Sequence, residues 1–324
     1  MRVFVTGGAG YIGSVVVERL LEQGHKVAVL DNLSKGWRSA VTTGATLIEG
    51  DLADRQLLRT AISHHQADAV IHLAASSYVG ESIASPHLYF QNNTVNSLNL
   101  LEVMREVGVK RLVFSSTASV YGIPAELPIT EDTPALPINP YGESKLMFEQ
   151  MLNWFDRAYG MRYVTLRYFN AAGATARLGE RHDPETHLIP NILKVAAGEL
   201  PHVTIFGEDY DTPDGTCIRD YIHVSDLADA HLLALEAMTQ RSHTYNLGYG
   251  SGYSVAEVVE MARQVTGVRI PTESAARRPG DPPVLIASAD RARRDLGWMP
   301  RMSELDQIVE SAWRWQQNRR ASSD

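Results

Sequence analysis

The chain carries 324 residues, 44% hydrophobic and 21% charged, with a formal net charge of -8 at pH 7. That length exceeds the ~250–300 residues at which single cores stop growing and points to two lobes, while the acidic balance argues against a nucleic-acid partner and leaves any nucleotide to backbone amides and a few local arginines. No apolar run approaches the ~20 residues that span a bilayer, the chain opens on strand residues without a secretory leader, and a single cysteine, Cys217, excludes an internal disulfide or a Cys-based zinc cluster; a cytoplasmic enzyme with no membrane partner is expected.

The first element is a strand, Val3-Phe4-Val5-Thr6, which runs into Gly7-Gly8-Ala9-Gly10-Tyr11-Ile12-Gly13 and then a helix. Without Cβ atoms, Gly7 can turn tightly, Gly10 can admit a pyrophosphate against the backbone, and Gly13 can pack helix on strand. The free amides of the helix N-terminus then face the anion. A second strand at 26–30 closes on Asp31, about 20 residues further on, where a carboxylate accepts hydrogen bonds from an adenosine ribose and repels a phosphate; NAD is therefore expected over NADP. Further strands are expected at 46–48, 69–73, 111–114 and 163–166. Their alternation with helical patterns implies a Rossmann-type α/β fold, a doubly wound parallel sheet. Ligands bind beyond the carboxyl ends of such strands, where Gly7, Asp31, Asp51, Ala74 and Ser115 fall. After about Ala171, Pro-, Gly- and Asp-rich loops between short helices suggest a smaller lobe closing over the cofactor. The division expected is 1–171 and 172–324, with a helix at 224–238 and a strand at 245–247 that allow 216–247 to rejoin the first lobe. A helix at 305–315 and a frayed polar tail at 319–324 complete the chain.

The chemistry centres on Asn139-Pro140-Tyr141-Gly142-Glu143-Ser144-Lys145, which begins a helix with Pro140 near its first turn. Tyr141 and Lys145 are four apart and share a face. A tyrosine of pKa near ~10 is a poor base at neutral pH, but a lysine ammonium and a cationic nicotinamide nearby favour the phenolate. Tyr141 is then a candidate acid/base for an alcohol or sugar hydroxyl. Phe114-Ser115-Ser116-Thr117 supplies hydroxyls at a strand end one loop earlier; Thr117 is the first choice to bridge Tyr141 and a substrate oxygen, and Ser116 the second.

These residues resemble the extended short-chain dehydrogenase/reductase family. Four further runs, Leu166 to Gly173, Asp183 to Pro190, Asp214 to Val224 and Arg277-Arg278-Pro279-Gly280-Asp281, narrow the resemblance to its UDP-glucose 4-epimerase family, nearly end to end. The resemblance implies NAD-dependent 4-epimerisation of UDP-hexoses by transient oxidation at carbon 4, with Thr117, Tyr141 and Lys145 catalytic. It places Asn170, Leu188, Arg219 and Arg278 at the UDP-sugar and Asp281 at the nucleotide's ribose. Two arginines suit a diphosphate, which they bind with charge-assisted, bidentate hydrogen bonds. By the same carry-over Asp51 and Leu52 flank the adenine, Ala74 and Asn92 contact the cofactor, and Tyr168 packs near the nicotinamide. Tyr11, Ile12, Asn32 and Ser115 complete the cofactor site. A homodimer joined through helices around 92–104 and 141–155 is also implied.

Two departures stand out. Many members carry a lysine where this chain has Ala75-Ser76-Ser77-Tyr78, and the family's usual catalytic serine is Thr117, which keeps the hydroxyl. A 4,6-dehydratase or a decarboxylase of the same family is the rival reading, but a dehydratase needs an acid and a base where this chain has Ala118-Ser119. A silent NAD-binding scaffold would have no use for the catalytic trio beside Arg219 and Arg278. An epimerase preferring N-acetylated UDP-sugars stays open, and Leu285 falls at the pocket wall that governs that choice in the family. His72, His87 and His223 lack companions at metal-ligand spacing, so they read as structural and no metal is expected.

Overall fold

The computed structural model describes residues 1–238, 241–278 and 281–321; Pro279 and Gly280 of the arginine motif and residues 322–324 of the expected tail lie outside the described residues. Six short apolar runs form the strands β1 (Arg2–Thr6), β2 (Lys26–Asp31), β3 (Thr46–Glu49), β4 (Ala69–His72), β5 (Arg111–Thr117) and β6 (Arg162–Tyr168). With a seventh strand, His243–Leu247, they make one sheet in the order His243–Leu247, β6, β5, β4, β1, β2, β3, and every pairing is parallel. The chain therefore winds outward from β1 in one direction and from β4 in the other. The carboxyl ends of β1 and β4 flank the crevice where the strand order reverses, which is where such sheets bind ligands.

Both faces of the sheet are covered, which is why its central strands β1, β2 and β4 read as near-continuous apolar runs rather than alternating. Successive side chains point to opposite faces: Val3 and Val5 join the core that contains Val224, Leu227 and Leu235, whereas Phe4 joins the one that contains Leu58, Leu100 and Phe148. Helix α1 (Tyr11–Glu22) and helix Val224–Ala237 pack together on the first face. Helices Arg55–His65, Asn96–Val107 and Pro140–Tyr159 cover the second.

Among the described residues three small sheets lie beyond the main one. Asn170–Ala172 pairs in parallel with Tyr221–His223, Val203–Phe206 with Thr272–Ala275, and Ile218–Arg219 lies between Tyr253–Ser254 and Val284–Leu285. In the last of these Leu285 stands opposite Arg219. Among the described residues no helix is long and apolar enough to cross a membrane. One expectation is corrected at the end of the chain: Arg319 and Arg320 are not frayed but belong to the helix Leu305–Ala321. The Arg320 guanidinium donates to the carbonyl of Ala197 at 2.7 Å and so ties the last turn down.

Candidate active site

The glycine loop is built by close approach. Gly7 has φ +76°, a region that L side chains rarely adopt, and a Cβ there would sit 2.5 Å from the backbone nitrogen of Ala74. At Gly13 a Cβ would collide with the carbonyl of Gly7, so only glycine lets α1 start this close to β1. Gly10 is the N-cap of α1 and provides no side-chain cap, and no acidic residue occupies the first turn. The first amides of α1, at Tyr11, Ile12 and Gly13, are thus left for an anion. Such a cradle fits the pyrophosphate of a dinucleotide.

Asp31 stands at the end of β2, buried and facing the same cleft. Its carboxylate accepts from Ala9 N and Leu33 N, both at 2.9 Å, and so holds the glycine loop as well as a lone pair for a ribose. Burial pushes this carboxyl up, and the two amides act the other way. Next to it the Asn32 amide donates to Asp51 at 2.6 Å, and Leu52 borders the cleft behind them. Ala74 and Asn92 line the opposite side. Asn92 donates to the Ser76 hydroxyl at 3.1 Å, so Ser76, within the run where many family members carry a lysine, belongs to the asparagine network of the cleft wall.

The alternation of β5 separates the candidate hydroxyls. Ser116 points to the face shared with Leu112 and Phe114 and donates to the buried Glu149 at 2.5 Å, which in turn grips Arg167 with both carboxylate oxygens. Thr117 lines the cleft and accepts from Ser119 N at 3.1 Å. Asn139 caps the following helix by accepting from Gly142 N at 2.8 Å, and Pro140 occupies its first turn, which brings Tyr141 beside Thr117. Burial pushes the Tyr141 phenol up, whereas its hydrogen bond with Thr117 lowers it. The sequence assigns a further lowering to the Lys145 ammonium together with a cationic nicotinamide. Lys145 donates to the carbonyl of Ser115 at 2.9 Å and lies over the Phe114 ring; burial pushes its ammonium down to about 7. Ser115 itself does not border the cleft: its hydroxyl meets His231 at 2.9 Å and its carbonyl anchors Lys145, so its part in the cofactor site is indirect. Tyr168 does border the cleft, with its ring near His231.

At the far end Asn170, Leu188, Arg219, Arg278, Asp281 and Leu285 complete the same cleft, whose volume is about 1470 Å³. Leu188 opens the helix Leu188–Ala196. Arg219 is buried and ion-paired with Asp281, while the Arg278 guanidinium lies 4.0 Å from the centre of the Phe206 ring. The two arginines thus stand at one end of the cleft, Arg219 already oriented by a carboxylate.

His72 and His223 are internal. His72 bonds Thr6 and Ser97, and His223 bonds Ser311 and accepts from Ser225 N. Among the described residues His72, His87 and His223 belong to no candidate metal-ligand group. A different group, Glu180, His182, Glu185 and His187, comes together on the cleft wall. Its sequence signal is two histidines and two glutamates within eight residues, part of which lies in the Asp183 to Pro190 run. Burial lowers the His187 imidazolium, yet the Glu180 carboxylate beside it dominates and holds it up at about 10.

The profile of the NAD dependent epimerase/dehydratase family matches residues 3–248. UDP-glucose 4-epimerase of Streptococcus mutans is 54% identical over 321 residues, covering 97% of this chain and 96% of that protein. The same-named protein of Halalkalibacterium halodurans is 54% identical over 319 residues, 97% and 95% of the two chains. Among solved structures, UDP-glucose 4-epimerase from Brucella ovis in complex with NAD superposes with a TM-score of 0.93 at 47% identity over 96% of this chain and 97% of that one. The Bifidobacterium longum enzyme in complex with NAD+ and UDP gives 0.94 at 41% identity, over 98% of each. With the glycine loop, the strand-end hydroxyl and the Tyr141–Lys145 helix around one cleft, the chain belongs to the NAD dependent epimerase/dehydratase family, in the branch of its UDP-glucose 4-epimerases.

Proposed function

We propose that this chain interconverts the 4-epimers of UDP-hexoses, UDP-galactose and UDP-glucose foremost, with NAD held as a resident cofactor. The observation that carries this reading is one uninterrupted cleft joining the glycine loop, the wall of Thr117, Tyr141 and Lys145, and the arginines 219 and 278. Relatives of that name at 54% identity, and solved structures carrying NAD or NAD+ and UDP, support it.

Each part of the cleft has a task. When bound, NAD supplies a reversible two-electron acceptor for carbon 4 of the hexose. Tyr141 takes the proton of the 4-hydroxyl and returns it after the sugar has turned over within the site; general acid/base help of this kind contributes roughly 10²–10⁴-fold. Thr117 hydrogen-bonds the phenol and orients the substrate oxygen beside it. Lys145 fixes the register of the helix that carries Tyr141 by holding the Ser115 carbonyl. Arg219 and Arg278 neutralise the diphosphate. A 4,6-dehydratase would need an acid and a base after the strand-end hydroxyl, and Ala118 and Ser119 cannot serve.

Three coarser inferences belong to the same reading. The chain divides into a cofactor lobe, 1–171, and a UDP-sugar lobe, 172–324, with 216–247 returning to the first; the parallel pairing of His243–Leu247 with β6 supports that return. It works as a cytoplasmic homodimer whose subunits meet through helices Asn96–Val107 and Pro140–Tyr159, where Met147, Trp154 and the neighbouring Val95 are exposed apolar side chains.

The test is to incubate purified protein with UDP-galactose and no added cofactor. UDP-glucose should form with no net change in NADH absorbance. Strict consumption of NADH or NADPH, or release of a 4-keto-6-deoxy sugar, would overturn the reading.

A further inference from the structure

Glu180, His182, Glu185 and His187 are used by no step above, yet one ligand-type atom from each lies within 4.8 Å of the others. Nδ1 of His187 is 2.7 Å from Oε1 of Glu180 and 3.0 Å from Oε1 of Glu185, and Nδ1 of His182 is 2.9 Å from the same Glu180 oxygen. We propose that these four residues form a binding site for a divalent transition-metal ion, with zinc the best match, that braces the 180–187 loop internally.

The donor set selects the class of ion. Calcium and magnesium favour all-oxygen shells, whereas two imidazoles with two carboxylates and no thiolate suit zinc and its neighbours. Four ligands at ~2.0–2.2 Å from zinc in a tetrahedron stand roughly 3.3 Å apart, so the three short contacts at 2.7, 2.9 and 3.0 Å need to open by a few tenths of an ångström and the wider separations, within 4.8 Å, to close on the ion.

Charge and burial point the same way. The side chains of Glu180 and Glu185 are 7% and 2% exposed, and among the described residues neither is ion-paired with a lysine or arginine. Two desolvated carboxylates carry a cost that the single charge of the His187 imidazolium offsets for only one of them, whereas a dication that takes the place of its proton offsets both.

Neighbouring groups also orient the quartet. Glu185 Oε1 accepts from Thr186 N and His187 N, both at 2.8 Å. The His182 ring is set edge-on against Tyr11 and Tyr78, with centroids 6.4 and 5.8 Å away. Around it, Trp37 Nε1 donates to the Arg181 carbonyl at 3.0 Å and Lys35 Nζ to that of Asp183 at 3.1 Å. The loop is therefore already stapled to the segment that follows Asp31, and an ion would lock the remaining residues immediately before Leu188.

The experiment uses the whole chain, stripped of metal with a chelator and titrated with zinc chloride by calorimetry, with melting temperature and the visible spectrum of the cobalt-loaded protein as second readouts. A single strong site per chain, a higher melting temperature and an intense tetrahedral cobalt spectrum are expected. His182→Gln and Glu185→Gln should each weaken zinc binding at least ~10–100-fold, the range known for removal of even an outer-shell partner, while the surface variant His87→Gln should change nothing. Only weak binding that both site variants leave unaltered, or a cobalt spectrum typical of hexaaqua ions, would overturn the proposal. Because none of these readouts is turnover, their failure leaves the epimerase reading untouched.

Discussion

Lys145 reaches past the tyrosine one helical turn before it and donates its ammonium to the carbonyl oxygen of Ser115 at 2.9 Å. That bond ties the helix Pro140–Tyr159 to the end of β5 and so places Tyr141 beside Thr117.

The buried ammonium has a consequence for stability. An unfolded lysine titrates near ~10.4, whereas burial holds Lys145 at about 7. Between those values the unfolded chain binds more protons, so stability should rise with pH through this window, and the penalty is complete below about 7. In Lys145→Met the rise should be smaller. Urea unfolding of both proteins across that window measures it; a difference between them that stays constant with pH would contradict the assignment.

Tyr141→Phe should lower turnover by at least ~100-fold while UDP binds nearly as before, since only the ionisable oxygen is lost. Steady-state kinetics with UDP-galactose and calorimetry with UDP check the two halves. Turnover within a few-fold of the parent would remove Tyr141 from the chemistry.

The two strand-end hydroxyls should separate cleanly. Thr117→Val should abolish most activity and Thr117→Ser should be mild. Ser116→Ala should keep the rate and instead cost about 1 kcal/mol of stability, because a bond to the buried Glu149 is lost. Kinetics and unfolding on the three variants decide it, and a reversed order would show that the wrong hydroxyl has been chosen.

Asp31→Asn should weaken NAD binding and narrow the preference against NADP, because the change removes the charge that repels a ribose phosphate. Some of the loss will be common to both cofactors, since Asp31 also holds Ala9 N and Leu33 N. The informative quantity is the ratio of the two dissociation constants. If the unmodified protein binds both cofactors equally, Asp31 is not the selector.

Leu285 lies in the cleft opposite Arg219, and its volume is intermediate between a closed and an open wall. UDP-galactose should be preferred, with some activity on UDP-N-acetylgalactosamine. Leu285→Tyr should depress kcat/KM for the N-acetylated substrate selectively, since steric exclusion acts on the larger group. Equal loss on both substrates would point to a packing defect.

What the sequence determined by itself was local in origin. The glycine spacing, Asp31 at the end of β2 and the four-residue step from Tyr141 to Lys145 are short-range patterns, and short-range patterns set turn geometry, strand ends and helix faces whatever the rest of the chain does. The alternation of strands and helices likewise announced the parallel sheet, because covered faces require apolar strands. Partnership across distance was decided only by the tertiary structure. Arg219 meets Asp281, 62 residues away, and Ser115 meets His231, 116 residues away, through packing that no local pattern encodes. Strand pleating split Ser116 from Thr117, two neighbours that look equivalent in the sequence, and burial set the direction in which Lys145 and Tyr141 titrate. The 180–187 quartet belongs between these extremes: its residues are close in sequence, but only the fold against Tyr11, Tyr78 and the 35–37 segment gathers their ligand atoms, because a loop takes its shape from what it packs against.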